Sequence, residues 1–144
     1  MGKKYLVADD DDDLRDTLCA LFCDDTDILT ANNGEEALAL VKSHSFDIIL
    51  TDYRMPVMNG IKFLERARET DHCIYLHSIL LTGSIDKEVK SFCELNGIPV
   101  ILKPFSVFKL RESVNSLFEE SRGLFERCSA TARPVHLSKD LVYF

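Results

Sequence analysis

Five consecutive aspartates, Asp9 to Asp13, follow a short apolar run near the start of the chain. Like charges side by side repel, so such a run needs a physical reason. Part of it reads as a helix start, because aspartate is a favoured N-cap and acid in a first turn complements the helix dipole. That reason suits Asp11, Asp12, Asp13 and Asp16. It leaves Asp9 and Asp10, at the end of the apolar run, without an account. Farther along, Asp52, Thr82 and Lys103 each close another apolar run. A hard cation such as Mg2+ takes a few carboxylate and carbonyl oxygens and keeps waters that a phosphate oxygen can replace. Asp10 and Asp52 are the natural direct ligands, Asp9 acts directly or through water, and the backbone carbonyl of Arg54 can complete the set. Lys103 supplies a point charge for phosphate and Thr82 a hydroxyl donor. Metal, ammonium and hydroxyl around one carboxylate suit phosphoryl transfer to that carboxylate, where positioning and charge neutralisation supply most of the catalysis.

These residues meet only if the chain brings several strand ends together. Short apolar runs suited to strands occur at 5–8, 28–31, 46–51, 78–82 and 99–103. Between them, apolar residues repeat at helical spacing: Leu14, Leu18, Leu21 and Phe22, then Ala37, Leu38 and Val41, then Ile61, Leu64 and Ala67. The fourth helical pattern holds Ile85, Val89, Phe92 and Cys93, and the fifth Val107, Leu110, Val114, Leu117 and Phe118. Five strand-then-helix units in a row predict an α/β fold with a parallel sheet and helices on both faces. In such sheets ligands sit beyond the carboxyl ends of the strands. Asp9, Asp10, Asp52, Thr82 and Lys103 all fall at those ends.

The 144 residues are enough for one domain with a proper core. A net charge of −7 argues against nonspecific attraction to nucleic acid or anionic membrane, and no apolar run reaches the length of a membrane span. The five cysteines are odd in number and show no Cys-x-x-Cys pairing, as expected of reduced thiols in a cytoplasmic protein. Cys19 and Cys23, four apart in an apolar-periodic stretch, are expected as small buried hydrophobes. His44, His72, His77 and His136 are expected to be incidental. Phe105 and Phe108 are expected to pack at the core or helix edge.

Four motifs in register, LVADD at 6–10, DYRMPVMNG at 52–60, Leu81-Thr82 and Lys103-Pro104-Phe105, resemble the receiver domain of two-component response regulators over residues 4 to about 120. The resemblance implies a flavodoxin-like (βα)5 three-layer sandwich with strand order 2-1-3-4-5, the order for which a regulator of this family is a standing example. It implies that Asp52 accepts a phosphoryl group from a partner kinase's phosphohistidine, and that Asp9 and Asp10 bind Mg2+. It further implies that Thr82 and Lys103 hold the phosphoryl group and that the Lys103-Pro104 bond is cis. Phosphorylation would then shift the face of helix four, strand five and helix five. The chain departs from the family pattern at Val100, where many receivers carry a Tyr or Phe that turns inward with the threonine. It departs also at Gly83, usually alanine, and at Asn59, a common aspartate. Arg54, two residues past Asp52, is placed to shield or contact an acyl phosphate.

Other classes fit less well. An EF-hand read from Asp9 has Leu14 where glycine belongs and Ala20 where glutamate belongs. A haloacid-dehalogenase-type phosphatase would take Asp9 or Asp10 as nucleophile but leave Asp52 without a role. A pseudo-receiver working without phosphorylation is kept alive by Val100 and Gly83. The expected organisation is a receiver domain at 1–121 and a C-terminal extension or linker at 122–144. The latter could extend helix five, lead to an output domain or fold back. Expected partners are a sensor histidine kinase or histidine phosphotransfer protein and a downstream protein or output domain. A homodimer through the face of helix four, strand five and helix five is the remaining option. The chain is too short to carry a DNA-binding domain as well, so no direct nucleic-acid contact is expected.

Overall fold

In the computed structural model the described residues are 2–24 and 26–130, with backbone alone for Arg122 and residues 124–130. Strands β1 (Lys3–Ala8), β2 (Thr26–Ala31), β3 (Ile48–Asp52), β4 (Ser78–Thr82) and β5 (Val100–Leu102) alternate with helices. The helices are α1 (Asp12–Leu21), α2 (Gly34–Ser43), α3 (Gly60–Ala67), α4 (Lys87–Asn96) and α5 (Val107–Ala130). All four strand pairings are parallel, in the order β2-β1-β3-β4-β5. The flavodoxin-like three-layer arrangement expected from the sequence is the one observed.

The layers follow from side-chain alternation along the strands. Leu6, Ala8, Ile49, Leu80 and Val100 point to one face and pack with Ala37, Val41, Phe63, Leu64, Val89 and Cys93 from α2, α3 and α4. Tyr5, Val7, Ile48, Leu50, Ile79, Leu81 and Ile101 point to the other and pack with Leu18 of α1 and with Leu110, Val114 and Leu117 of α5. Each such aliphatic side chain taken fully out of water contributes roughly 1.5–3 kcal/mol before conformational entropy is counted. Among the described residues no helix is long and apolar enough to cross a membrane.

Several local expectations are corrected. Helix α1 ends at Leu21 with Phe22 as its C-cap, so Cys23 falls beyond the helix and is exposed, while Cys19 is only half-buried. Ile85 precedes α4 rather than belonging to it, because Asp86 is the N-cap and its side chain accepts from the Val89 amide. Val107 and Phe108 are exposed, since the buried stripe of α5 begins at Leu110. The packing expected of Phe108 is therefore absent, whereas Phe105 rests against the α1–α5 core. Helix α5 runs on through Ala130, one of the arrangements the sequence left open for the C-terminal segment. The rest of the C-terminal segment, with His136, lies outside the described residues. Directly before β4 a 3-10 turn, Ile74–His77, buries Ile74 and Tyr75.

The loop after β3 is tightly constrained by backbone bonds. The Gly34 amide donates to Met58 O at 3.1 Å and the Gly60 amide to Tyr53 O at 2.8 Å. Between them the Met58 amide reaches Pro56 O at 2.7 Å, a γ-turn with Val57 at φ 71°, a strained conformation for a β-branched residue. A Cβ on Gly60 would collide with the carbonyl of Asp52, whereas one on Gly83 would meet nothing within 4 Å. Gly60→Ala is therefore expected to cost about 1–3 kcal/mol in urea unfolding, and Gly83→Ala less than about 0.5 kcal/mol. Equal costs at the two positions would contradict the close approach seen at Gly60.

Candidate phosphoryl and metal site

Parallel register brings the strand ends level. Ala8 is paired with Thr51, so Asp9 follows on one strand where Asp52 follows on the next; Asp52 is paired with Leu81 and Thr82 with Leu102. With β3 at the centre of the sheet, Asp52 sits between the ends of β1 and β4. Alternation then sorts the side chains. Asp9, Asp52 and Lys103 continue the rows of Val7, Leu50 and Ile101, which face α1 and α5, while Thr82 continues the row of Leu80 toward α4.

Asp9 is 1% exposed and Asp52 7%, so both carboxylates are largely out of water. Asp10 is exposed. Carboxylate oxygens of Asp9, Asp10 and Asp52 lie within 4.8 Å of one another, close enough for one cation to touch all three. The Lys103 ammonium sits among them, 2.8 Å from Asp9 Oδ2 and 3.3 Å from Asp52 Oδ2. The Asp9 carboxylate also accepts from the Asp11 amide at 2.9 Å, and the Asp52 carboxylate from the Tyr53 amide at 2.8 Å. One ammonium against three clustered carboxylates leaves negative charge uncompensated. Burial first and the Asp9 charge second push the Asp52 carboxyl up to about 6, against the pull of Lys103. The Lys103 ammonium is raised above its ordinary value by its hydrogen bond to Asp9 and the Asp52 charge, which outweigh burial. Hard oxygen donors with excess negative charge fit a Mg2+-type cation, and the three aspartates are those the sequence singled out.

The aspartate run divides as its chemistry suggests. Asp11 caps α1, its side chain accepting from the Asp13 and Leu14 amides, and Asp12 and Asp13 lie in the first turn. Thr82 reaches the same edge, but its hydroxyl donates to Ser84 O at 2.9 Å within the loop before α4. The Lys103-Pro104 peptide bond is cis. Val100 is buried in the α2–α4 core. Arg54 extends outward, its guanidinium 3.7 Å from Asp86 and its side chain 73% exposed.

Two features escaped the sequence reading. Tyr53, buried directly after Asp52, donates its hydroxyl to Glu88 Oε2 of α4 at 2.5 Å. Nothing local in the sequence signals a bond between residues 35 positions apart. His77, expected to be incidental, is largely buried with Nε2 3.4 Å from Asp71 Oδ2.

The model of the response regulator receiver domain matches residues 5–115. A response regulator receiver protein from Anaeromyxobacter is 40% identical over 107 residues, 73% of this chain and 44% of the relative. The match thus spans under half of that relative's length. The chemotaxis protein CheY of Pseudomonas aeruginosa is 28% identical over 83% of this chain and 99% of its own. Among solved structures, the CheX-CheY-BeF3-Mg2+ complex from Borrelia burgdorferi aligns with TM-score 0.72 and 29% identity, covering 81% of this chain and 89% of that one. A parallel 2-1-3-4-5 sheet, three aspartates with a lysine at its carboxyl edge, and a family match over most of the chain converge: the chain belongs to the response regulator receiver domain family of two-component signal transduction.

Proposed function

We propose that Asp52 accepts a phosphoryl group from the phosphohistidine of a sensor histidine kinase or histidine phosphotransfer protein, in a Mg2+-dependent reaction of a cytoplasmic phosphorelay. The observation that carries this reading is the Lys103 ammonium set between the Asp9 and Asp52 carboxylates at an open sheet edge. Asp9, Asp10, Asp52 and the backbone carbonyl of Arg54 would hold the cation, which when bound supplies charge neutralisation for the phosphoryl oxygens. An Asp52 carboxylate oxygen forms the new P–O bond as the P–N bond to the imidazole breaks, the electron pair leaving with the ring nitrogen. Lys103 lies beside Asp52 Oδ2 and can pair with a phosphoryl oxygen, while the Tyr53 amide fixes the direction of Oδ1. Thr82 can turn from Ser84 O to a phosphoryl oxygen, a charged and hence stronger acceptor. The chain is a switch rather than an enzyme acting on a separate substrate, assisting its own phosphorylation and slow self-dephosphorylation. The BeF3 and Mg2+ present in the Borrelia complex support the cation and the phosphoryl site.

The output surface is the face of α4, β5 and α5. Of the five large hydrophobic residues exposed among the described ones, Leu95, Leu102, Val107 and Phe108 lie on these elements or at their ends. Such residues suit a downstream protein, an output domain or a second copy of the chain.

Incubation with a small-molecule phosphodonor and Mg2+, followed by peptide mass spectrometry, is expected to place one phosphoryl group on Asp52. Asp52→Asn should abolish it and Lys103→Ala should slow it. Label on Asp9 or Asp10 with rapid turnover would point instead to phosphatase chemistry, and no label at all to a pseudo-receiver.

Charge crowding gives a second prediction. In the unfolded chain Asp52 releases its proton near 3.8, in the folded protein near 6. Between those values the folded state holds a proton that the unfolded state has lost, so metal-free stability falls as pH rises through this window. The penalty is complete above about pH 6 and amounts to about 3 kcal/mol for a two-unit shift. Metal-free Asp52→Asn should therefore be more stable than the wild type at pH 7 by about 2–3 kcal/mol. The gain should shrink toward pH 4, and Mg2+ should reduce it at pH 7 by stabilising the wild type. A gain that is the same at pH 4 and pH 7 would show that ionised Asp52 is not under strain.

A further inference from the structure

Asp52 and Tyr53 are adjacent, so alternation sends their side chains to opposite faces of the sheet. Asp52 joins Asp9 and Lys103 on the side of α1 and α5, and Tyr53 packs into the core beneath α2, α3 and α4. Tyr53 thus touches both halves of the molecule. Its amide donates to Asp52 Oδ1 at 2.8 Å, and its hydroxyl donates to Glu88 Oε2, in the first turn of α4, at 2.5 Å. Tyr53 as a residue is 8% exposed, while Glu88 is exposed, so the bond between them is part-buried.

The same turn of α4 is linked to the site by a second route. The Thr82 hydroxyl is held by Ser84 O, and the loop from Thr82 ends at Asp86, the N-cap of α4. If Thr82 leaves Ser84 for a charged acceptor on Asp52, that loop and the first turn of α4 are drawn with it. Tyr53–Glu88 resists such a shift by the net strength of one part-buried hydrogen bond to a carboxylate. Val100, a buried aliphatic residue on the neighbouring β5, has no polar atom with which to make a comparable link.

We propose that Tyr53 is a positioning residue whose hydroxyl bond to Glu88 holds α4 in its resting place, so that occupancy of Asp52 and the position of α4 oppose each other through this one side chain. The inference rests on Asp52 being the phosphoryl site. A bond made in the resting arrangement and lost in the occupied one weakens binding at Asp52 by its own net strength.

The test is calorimetric titration of beryllofluoride, a phosphoryl analogue, at saturating Mg2+ into the wild type, Tyr53→Phe, Glu88→Ala and the double variant. Failure of the wild type to bind would overturn the phosphoryl-site reading itself. With the wild type binding, each single variant is expected to bind about tenfold tighter, the scale of one hydrogen bond to a charged group. The double variant should bind no tighter than either single one, because both remove the same bond. Hydrogen exchange of the amides at residues 87–90 should be faster in Tyr53→Phe before any ligand is added. Unchanged or weaker beryllofluoride binding by Tyr53→Phe, or gains that add in the double variant, would overturn the proposal. A purely structural Tyr53 would lower thermal stability without tightening the ligand.

Discussion

An ammonium held between two buried carboxylates sets the terms for the rest of this fold. Asp9 and Asp52 cannot both ionise out of water without a counter-charge, and Lys103 is the counter-charge the chain supplies. For the three to meet, β1 and β3 must be neighbours, β5 must end at the same edge, and the registers must agree within a residue. A slip of one residue in any strand would turn its terminal charge toward the opposite face. The apolar cores enforce that register, since the same slip would send Leu50 or Val7 to the wrong layer. Core packing and site geometry are therefore one constraint.

The balance is deliberately incomplete. Lys103 offsets part of the carboxylate charge, and Asp52 is left with a proton affinity well above that of an ordinary aspartate. Stability is given up at the site in a form that a cation, bound there as proposed, would return.

Much of this is legible in the sequence because strand ends are punctuated by residues that do not belong in an apolar run. Asp9, Asp52, Thr82 and Lys103 stand out for that reason, and a parallel topology carries them to one edge. Legibility fails where a residue's neighbours are remote. Cys23 fits the helical spacing of α1, yet the helix stops at Leu21, and only the chain reversal into β2 decides that. Val107 and Phe108 look like core by type, while the depth of α5 against the sheet leaves both outside. Tyr53 is visible as an aromatic residue next to Asp52, but its hydroxyl acquires meaning only when α4 settles beside β3. The carboxylate cluster is a matter of topology and could be read; the tyrosine link is a matter of helix placement and could not.

The loop from Tyr53 to Gly60 gives the site a mechanical direction. Its tip is a strained γ-turn at Val57, its two ends are tied to each other by the Gly60–Tyr53 bond, and Met58 beside the tip is tied to Gly34 of α2, with glycine needed at both close approaches. A hoop already drawn taut has no slack with which to follow a change at Asp52. Across the site, the stretch from Gly83 to Ile85 is short of such ties, and open space surrounds Gly83. A load placed between a stiff wall and a compliant one displaces the compliant wall. If Asp52 is the phosphoryl site as proposed, a shape change that begins there is steered away from α2 and α3 and toward α4 before any partner is present.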